Sequence, residues 1–133
     1  MANRDTATEA LPAHSLAPAV RTNGTVNGTG VDLQAYEASY ALVHFGAYTD
    51  GAHTQKLQES DDNSSFTDVA AADLLGAFSA VAAAGGANTI QKVAYRGAKR
   101  YIRIVMTTSG ATSGAASGGA IVRGRSRRIG TAA

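Results

Sequence analysis

The chain has 133 residues and contains no cysteine, no tryptophan and only two prolines. Without cysteine, neither disulfide bonds nor thiolate chemistry can contribute to stability or function. No apolar run approaches the roughly 20 residues that a membrane-spanning helix needs, and the N-terminus lacks the apolar segment of a secretion signal. These absences predict a domain that is held together by its own core and has no association with a membrane.

The composition favours strands and turns over helices, because 15 glycines stand among many alanines, threonines and serines. Aromatic and β-branched residues are dense in Tyr36–Tyr48, which predicts a central strand. In Arg100–Thr107, alternation predicts that Ile102, Ile104 and Met106 share one face. With turn signals between seven or eight short strands, we predict an all-β fold, an antiparallel β-sandwich or jelly roll.

Two local predictions concern the connections between these strands. Thr49–Gly51 has the composition of a hairpin turn, after which 53–59 would return along the preceding strand. This hairpin would bring His44 and His53 face to face, but no third ligand is evident, so ordinary histidines are favoured over a zinc site. The glycine- and serine-rich stretch 109–119 is predicted to be a loop that leads into the last strand.

The ends of the chain differ from its middle, which suggests three regions. We predict an extended N-terminal arm over 1–15, a sandwich domain over 16–122 and a basic C-terminal arm over 123–133. Of the 12 basic residues, four lie in the last region, whereas the rest of the chain carries all 10 acidic residues. A slightly acidic body with a basic end is the clearest electrostatic pattern in the sequence.

The stretch "LQESDDNSSFTDV", Leu57–Val69, concentrates acidic and small polar residues. Asp, Asn and Ser favour turns, so the simplest interpretation is an acidic turn between two strands. Calcium is an alternative, with Asp61, Asp62 and Asn63 as candidate ligands, but the order of residues in a calcium-binding EF-hand loop is absent. A catalytic carboxylate pair is disfavoured, because adjacent side chains on a turn point apart.

No other pattern in the sequence predicts catalysis. The serines are not part of a nucleophile elbow, and no glycine-rich phosphate-binding motif follows a strand and opens a helix. We therefore expect a protein that is not an enzyme and that needs no cofactor.

The strongest signal for a partner is the arginine-rich stretch "RGRSRRIG", with Arg123, Arg125, Arg127 and Arg128. Arginine is the preferred cation of bidentate ion pairs at protein interfaces, which favours docking to an acidic patch on another subunit. A solvated tail and nucleic-acid binding are the alternatives. Nucleic acid is disfavoured, because no aromatic residues are interleaved with the arginines to stack on bases.

Three motifs in the sequence resemble a family of small structural proteins from tailed bacteriophages. They are "VDLQAYE" from Val31, "TDGAHTQKLQESDDNSSFTDV" from Thr49, and "GAKRYIR" from Gly97. The resemblance extends over about residues 16–124. It implies a place in the virus particle but no established role there.

On that basis we expect a decoration (cement) protein on the capsid surface, made in the host cytoplasm. Its expected partners are the major capsid protein and neighbouring copies of itself, with a trimer favoured at threefold positions. Two alternatives remain open: a head–tail neck or tail component, and a carbohydrate- or host-binding module that uses the acidic turn.

Overall fold

The computed structural model describes residues 10–126, and within them two antiparallel sheets pack against each other. The predicted all-β sandwich is therefore confirmed. No helix in this part of the chain is long and apolar enough to cross a bilayer. The strands are β1 (Leu11–Arg21), β2 (Gly24–Asn27), β3 (Val31–Asp32), β4 (Tyr36–Tyr48), β5 (Ala52–Ser60), β6 (Thr67–Asp68), β7 (Leu74–Leu75), β8 (Ile90–Tyr95), β9 (Tyr101–Ser109) and β10 (Ala115–Ser126).

Each sheet is built around one long strand. In the first, here the β4 sheet, the order is β1-β10-β4-β8-β7. In the second, the β9 sheet, the order is β2-β9-β5-β6, and β3 also pairs with β9. The strand count exceeds the predicted seven or eight because three strands, β3, β6 and β7, are only two residues long.

The core lies between the two sheets and follows the predicted alternation. Ile102, Ile104 and Met106 of β9 are fully buried, and they meet residues such as Val43 and Ile121 of the β4 sheet. Side chains of a strand alternate between its two faces, so one apolar set suffices to bury one side of the sheet. The predicted facing of this strand is confirmed.

The predicted hairpin at Thr49–Gly51 is wrong. β4 pairs with β10 and β8, whereas β5 pairs with β9 and β6, so the connection passes from one sheet to the other. Gly51 has φ 94° at this crossing, a conformation that glycine adopts without steric cost. The local turn signal was correct, but it carries no information about which sheet the next strand joins.

The two ends of the described chain pair with each other, which changes the predicted boundaries. β1 begins at Leu11, so residues 11–15 of the predicted N-terminal arm belong to the sandwich, and Leu11 lies opposite Arg123 of β10.

The predicted loop over 109–119 is a strand in its second half, because β10 begins at Ala115. Glycine and alanine fit in this part of β10 because large side chains of the core pack closely against the strand. The Cβ of an alanine at Gly119 would lie only 2.6 Å from the Ile104 side chain.

Candidate functional site: the end cleft

The acidic stretch forms a tight turn whose polar side chains bond to its own backbone. The Ser60 hydroxyl donates to the Asp62 carboxylate over 2.8 Å and accepts the amides of Asp62 and Asn63. The same Asp62 oxygen accepts the amides of Ser64 and Ser65, each at 2.9 Å. These bonds hold the pKa of Asp62 below the usual carboxyl range, with the two backbone amides as the leading cause.

The three calcium candidates are separated by this turn rather than gathered by it. Asp62 caps the turn, Asp61 forms an ion pair with Lys99 at 2.8 Å, and Asn63 adopts φ 60°. The Asn63 side chain packs onto Gly30, where even an added Cβ would collide with its oxygen. Within residues 10–126, no group of three His, Cys, Asp or Glu side chains is placed to hold a metal. The geometry gives the calcium hypothesis no support.

Beside the turn lies a cleft of about 270 Å³, which we call the end cleft. Its walls are the β3–β4 connection with the start of β4, and the β8–β9 connection. It is lined by Leu33, Gln34, Tyr36, Glu37, Ala38, Ser39, Asp61, Tyr95, Gly97, Ala98, Lys99 and Arg100. Asp61 is the one sequence-predicted candidate that lines this cleft.

Charged groups of both signs surround the end cleft, and they pair with one another. Arg100 makes a bidentate contact with Asp32, with Nε and Nη2 at 3.0 and 2.9 Å from the two carboxylate oxygens. The Arg100 hydrogen bond is the main reason that the pKa of Asp32 is lowered. Hydrogen bonding to Asp61 raises the pKa of Lys99. Both cations are therefore charged at neutral pH, and a ligand that binds either of them meets a cation whose charge is already paired with a carboxylate.

Tyr95 forms the inner wall of the cleft and is almost fully buried. Its hydroxyl donates to Glu59 Oε1 over 2.8 Å and accepts the backbone amide of Lys99. Burial, reinforced by the nearby Glu59 carboxylate, raises the pKa of the Tyr95 phenol. The phenol therefore stays protonated at neutral pH and acts as a hydrogen-bond donor, not as a base.

Arg123, the first of the four candidate arginines, lies next to this cluster. It is half-buried, its Nη1 donates to the Asp32 carbonyl over 3.2 Å, and its guanidinium stacks 5.1 Å from the Tyr36 ring centroid. Arg123 is therefore engaged within its own domain. Arg125 lies in β10, where only its backbone is described, and Arg127 and Arg128 lie outside the described residues.

The three motifs that carry the phage resemblance meet around this end of the sandwich. Asp32 of the first motif pairs with Arg100 of the third. Gln58 and Phe66 of the second motif both contact Arg103 of the third, with the guanidinium 4.0 Å from the Phe66 ring centroid. These pairs could not be predicted from the sequence, because they depend on the register between β9 and strands far away in the chain.

The two histidines that were predicted to face each other are in different environments. His53 is fully buried, with Nδ1 at 3.1 Å from the Thr108 hydroxyl and Nε2 at 3.0 Å from the Asp50 carbonyl. His44 is exposed on the opposite side of the β4 sheet. The prediction failed because β4 and β5 belong to different sheets.

No protein-family model, no curated protein and no solved structure matches this chain. The resemblance to phage structural proteins therefore depends on the quoted motifs alone.

Proposed function

We propose that this protein is a capsid decoration (cement) protein that binds the major capsid protein through the end of the sandwich that carries the end cleft. The observation that carries the proposal is the meeting of all three motifs of the phage resemblance at that end. Arg123 lies there too, and the sequence continues from β10 directly into Arg127 and Arg128.

The chemistry of this end suits a protein partner better than a small substrate. Asp61, Lys99, Asp32 and Arg100 already form ion pairs with each other on the surface. Exposed pairs of this kind contribute little to stability. They can instead exchange partners with the charges of a docking protein, which gives orientation and specificity more than affinity.

The direct test is the number of copies of this chain per purified particle, counted against the major capsid protein by quantitative mass spectrometry. A cement protein covers the lattice, so we expect about one-third to one copy per capsid subunit. About six to twelve copies would assign the chain to a neck or tail ring instead. Absence from the particle would overturn a structural role in the virion.

A truncation that tests the docking role of the arginines must leave the strands of the sandwich intact. Removal of 123–133 would delete the end of β10, where Arg123 pairs with Ser39 and Leu11. A chain that ends at Ser126 keeps β10, and we expect it to fold normally but to occupy fewer capsid sites. The matched control removes residues 1–9, which should leave occupancy unchanged. Equal occupancy of both truncated chains and the full chain would rule out this role.

Carbohydrate binding is tested at the same end of the molecule. Tyr36, Tyr95 and Asp61 line the end cleft, a combination of aromatic and carboxylate groups that could hold a sugar. Asp61→Ala is the appropriate variant, because Asp62 also fixes the turn. Glycan binding that disappears in Asp61→Ala and persists in Lys56→Ala would favour the binding module over the cement protein.

A further inference from the structure

One stretch of β8 has backbone groups that point away from its partner strand β4. The Phe45 amide donates to the Thr89 carbonyl over 2.8 Å, and the backbone groups of successive residues in an antiparallel strand point alternately to its two sides. The N–H and C=O groups of Ile90 and Lys92 therefore point to the side of β8 on which β7 lies. We call the backbone of residues 90–92 on this side the β8 edge.

The β8 edge is left open because β7 is short. β7 covers this side of β8 only at the last two residues of β8. After Gly76, which has φ 101°, the chain crosses to β5, where Val81 exchanges two backbone hydrogen bonds with His53. No backbone hydrogen bond within residues 10–126 reaches Ile90 or Lys92 from this side. A row of unpaired donors and acceptors is the feature that another strand recognises.

An open groove of about 590 Å³ runs beside the β8 edge. Thr89, Gln91 and Lys92 line one wall, and residues of the stretch 77–86, mainly alanine and glycine, line the other. With a rise of about 3.4 Å, a strand spacing of about 4.8 Å and a sheet thickness of about 10 Å, one strand residue fills about 160 Å³. The groove therefore has room for about three to four residues of an extended chain.

The side chains at the β8 edge specify the chemistry of its occupant. Lys92 forms no ion pair within residues 10–126, and its ammonium lies 5.8 Å from the Tyr40 ring centroid, on the side of the sheet that faces solvent. On the same side, Ile90 is 71% exposed. A matching strand carries a carboxylate opposite Lys92, an apolar residue opposite Ile90, and small side chains toward the groove.

Residues 1–9, which precede the described part of the chain, contain one segment with this pattern. Asp5 and Ala7 alternate with two threonines, Thr6 and Thr8. If Ala7 lies opposite Ile90 in an antiparallel pair, Asp5 lies opposite Lys92, and both threonines point toward the groove. No other register of residues 1–9 combines a carboxylate opposite Lys92 with an apolar residue opposite Ile90.

We propose that residues 5–8 of one copy of this chain add a strand to the β8 edge of a second copy. In this register, Ala7 exchanges two backbone hydrogen bonds with Ile90, and the Lys92 amide donates to the Asp5 carbonyl. The Asp5 carboxylate pairs with the Lys92 ammonium on the solvent side. Threonine has a high strand propensity, which favours the extended conformation that this contact needs.

The occupant belongs to a second copy because the chain's own segment cannot reach the β8 edge in this register. Leu11 lies in one row with Arg123, Ser39 and Tyr95, so it is three strand spacings from β8. A residue opposite Ile90 would lie one spacing further across and five residues further along, about 25 Å from Leu11. The four residues from Ala7 to Leu11 span at most about 14 Å.

The inference stands apart from the proposed function, because it requires neither the capsid nor the end cleft. β1, which follows the donated segment, and the β8 edge lie toward opposite sides of the β4 sheet. The contact therefore passes from one copy to the next and closes as a reciprocal pair or as a ring, of which a trimer is one case. A chain without residues 1–9 should lose this association in solution and keep its occupancy on the capsid, so the two proposals fail separately.

The most direct test is a disulfide bond between two copies, since the chain has no cysteine of its own. Ala7→Cys and Ile90→Cys chains, mixed in a glutathione redox buffer, should join through the two new thiols, because the paired Cα atoms would lie about 5.5 Å apart. Val26→Cys is the matched control for Ile90→Cys, since Val26 is 41% exposed on β2 of the other sheet. We expect it to join Ala7→Cys at least about tenfold less.

A pair of proline variants tests the backbone hydrogen bonds. Ala7→Pro removes the N–H that donates to the Ile90 carbonyl, so the dissociation constant of the full chain should rise at least about tenfold. Ala2→Pro makes the same change outside the paired residues and should leave the constant unchanged. Neither substitution touches the sandwich. Sedimentation and native mass spectrometry from micromolar to millimolar concentration measure both variants and the number of copies in the assembly.

A charge exchange tests the register. Lys92→Asp and Asp5→Lys should each weaken the association, because each places two like charges opposite one another. A chain with both substitutions restores an opposite-charge pair, so its association should return toward that of the unmodified chain.

Three results would overturn the proposal. The first is a full chain that stays monomeric at all concentrations and joins Ala7→Cys to Ile90→Cys no better than to Val26→Cys. The second is an association that survives removal of residues 1–9, which would assign the contact to another surface. The third is a Ala7→Pro variant that associates as strongly as Ala2→Pro.

Discussion

The outer sides of the two sheets have opposite chemistry, although both flank the same core. On the β9 sheet, the outward residues are polar and connected: Lys56 pairs with Asp68, and Arg103 donates to Gln58. On the β4 sheet, the corresponding positions hold residues such as Tyr40 and Leu42. Burial alternates along both strands, from Ser39 to Phe45 in β4 and from Ala52 to Leu57 in β5. The two strands therefore differ in the chemistry of their outward side chains and not in which side is buried.

The largest expected effect concerns the core that both sheets share. Ile104 is fully buried, so Ile104→Ala should lower the free energy of unfolding by about 2–5 kcal/mol. Thr54→Ala on the outer side of the adjacent β5 is the control, and it should change stability by less than about 0.5 kcal/mol. Urea denaturation measures both. A small loss for Ile104→Ala would mean that the two sheets do not pack as described.

The second effect compares the inside of the sandwich with the solvent-exposed side of the β4 sheet through the two histidines. His53→Ala removes a fully buried ring and leaves the Thr108 hydroxyl and the Asp50 carbonyl without partners. It should destabilise the protein by about 2–4 kcal/mol. His44→Ala should cost less than about 0.5 kcal/mol. Equal losses in thermal or urea unfolding would contradict the placement of these strands in different sheets.

The third effect is acid sensitivity, which we expect to come from the connections between the strands. The Asp50 carboxylate accepts hydrogen bonds from the backbone amides of Gly114, Thr112 and Ser113, and these bonds lower the pKa of Asp50. In the same way, the backbone amides of the acidic turn lower the pKa of Asp62. A lowered folded-state pKa gives stability that is fully present above the unfolded carboxyl pKa of about 3.9 and is lost as the pH falls through the folded value.

The pH dependence can be measured from urea midpoints between about pH 5 and pH 2. We expect stability to fall with decreasing pH, and the fall to be shallower in Asp50→Asn and in Asp62→Asn, because an amide does not titrate. A slope that neither substitution changes would show that these two turns are not a source of the acid sensitivity.

The smallest effect concerns the polar side of the comparison. Lys56 and Asp68 are 46% and 61% exposed at their side chains, so their ion pair is screened by water. Lys56→Ala should change stability by less than about 1 kcal/mol, and added salt should reduce the difference further. A loss above about 1 kcal/mol that salt does not reduce would contradict a screened surface pair.

The parts of the fold that the sequence predicted are those that depend on neighbours along the chain. Ile102, Ile104 and Met106 were placed correctly, since alternation within one strand determines which side is buried. Asp62 was placed correctly in a turn, since it bonds to amides two and three residues away. Local chemistry determines both features.

The features that were missed depend on residues far apart in the chain. The Asp32–Arg100 pair exists because β3 pairs with β9, and nothing in either stretch specifies that pairing. Arg123 was predicted to bind a partner, which stays a prediction, but the sequence did not indicate that its guanidinium also donates to the Asp32 carbonyl of the other sheet. The apolar hollow that Val20, Gly46 and Ala116 line likewise arises from three strands that are separated in sequence.

The position of β10 has a consequence for how the protein is made. Among residues 10–126, β10 is the last strand to leave the ribosome, yet it lies inside the β4 sheet, between β1 and β4. Until β10 arrives, β4 can pair only with β8, and β1 has no partner in this sheet, so the β1–β10–β4 part of the sheet must assemble after β10 has been synthesised. Pairings over such long sequence separations slow folding to about milliseconds to seconds. Until then, the apolar edges of β1 and β4 are open to chaperones, or to a second unfinished chain.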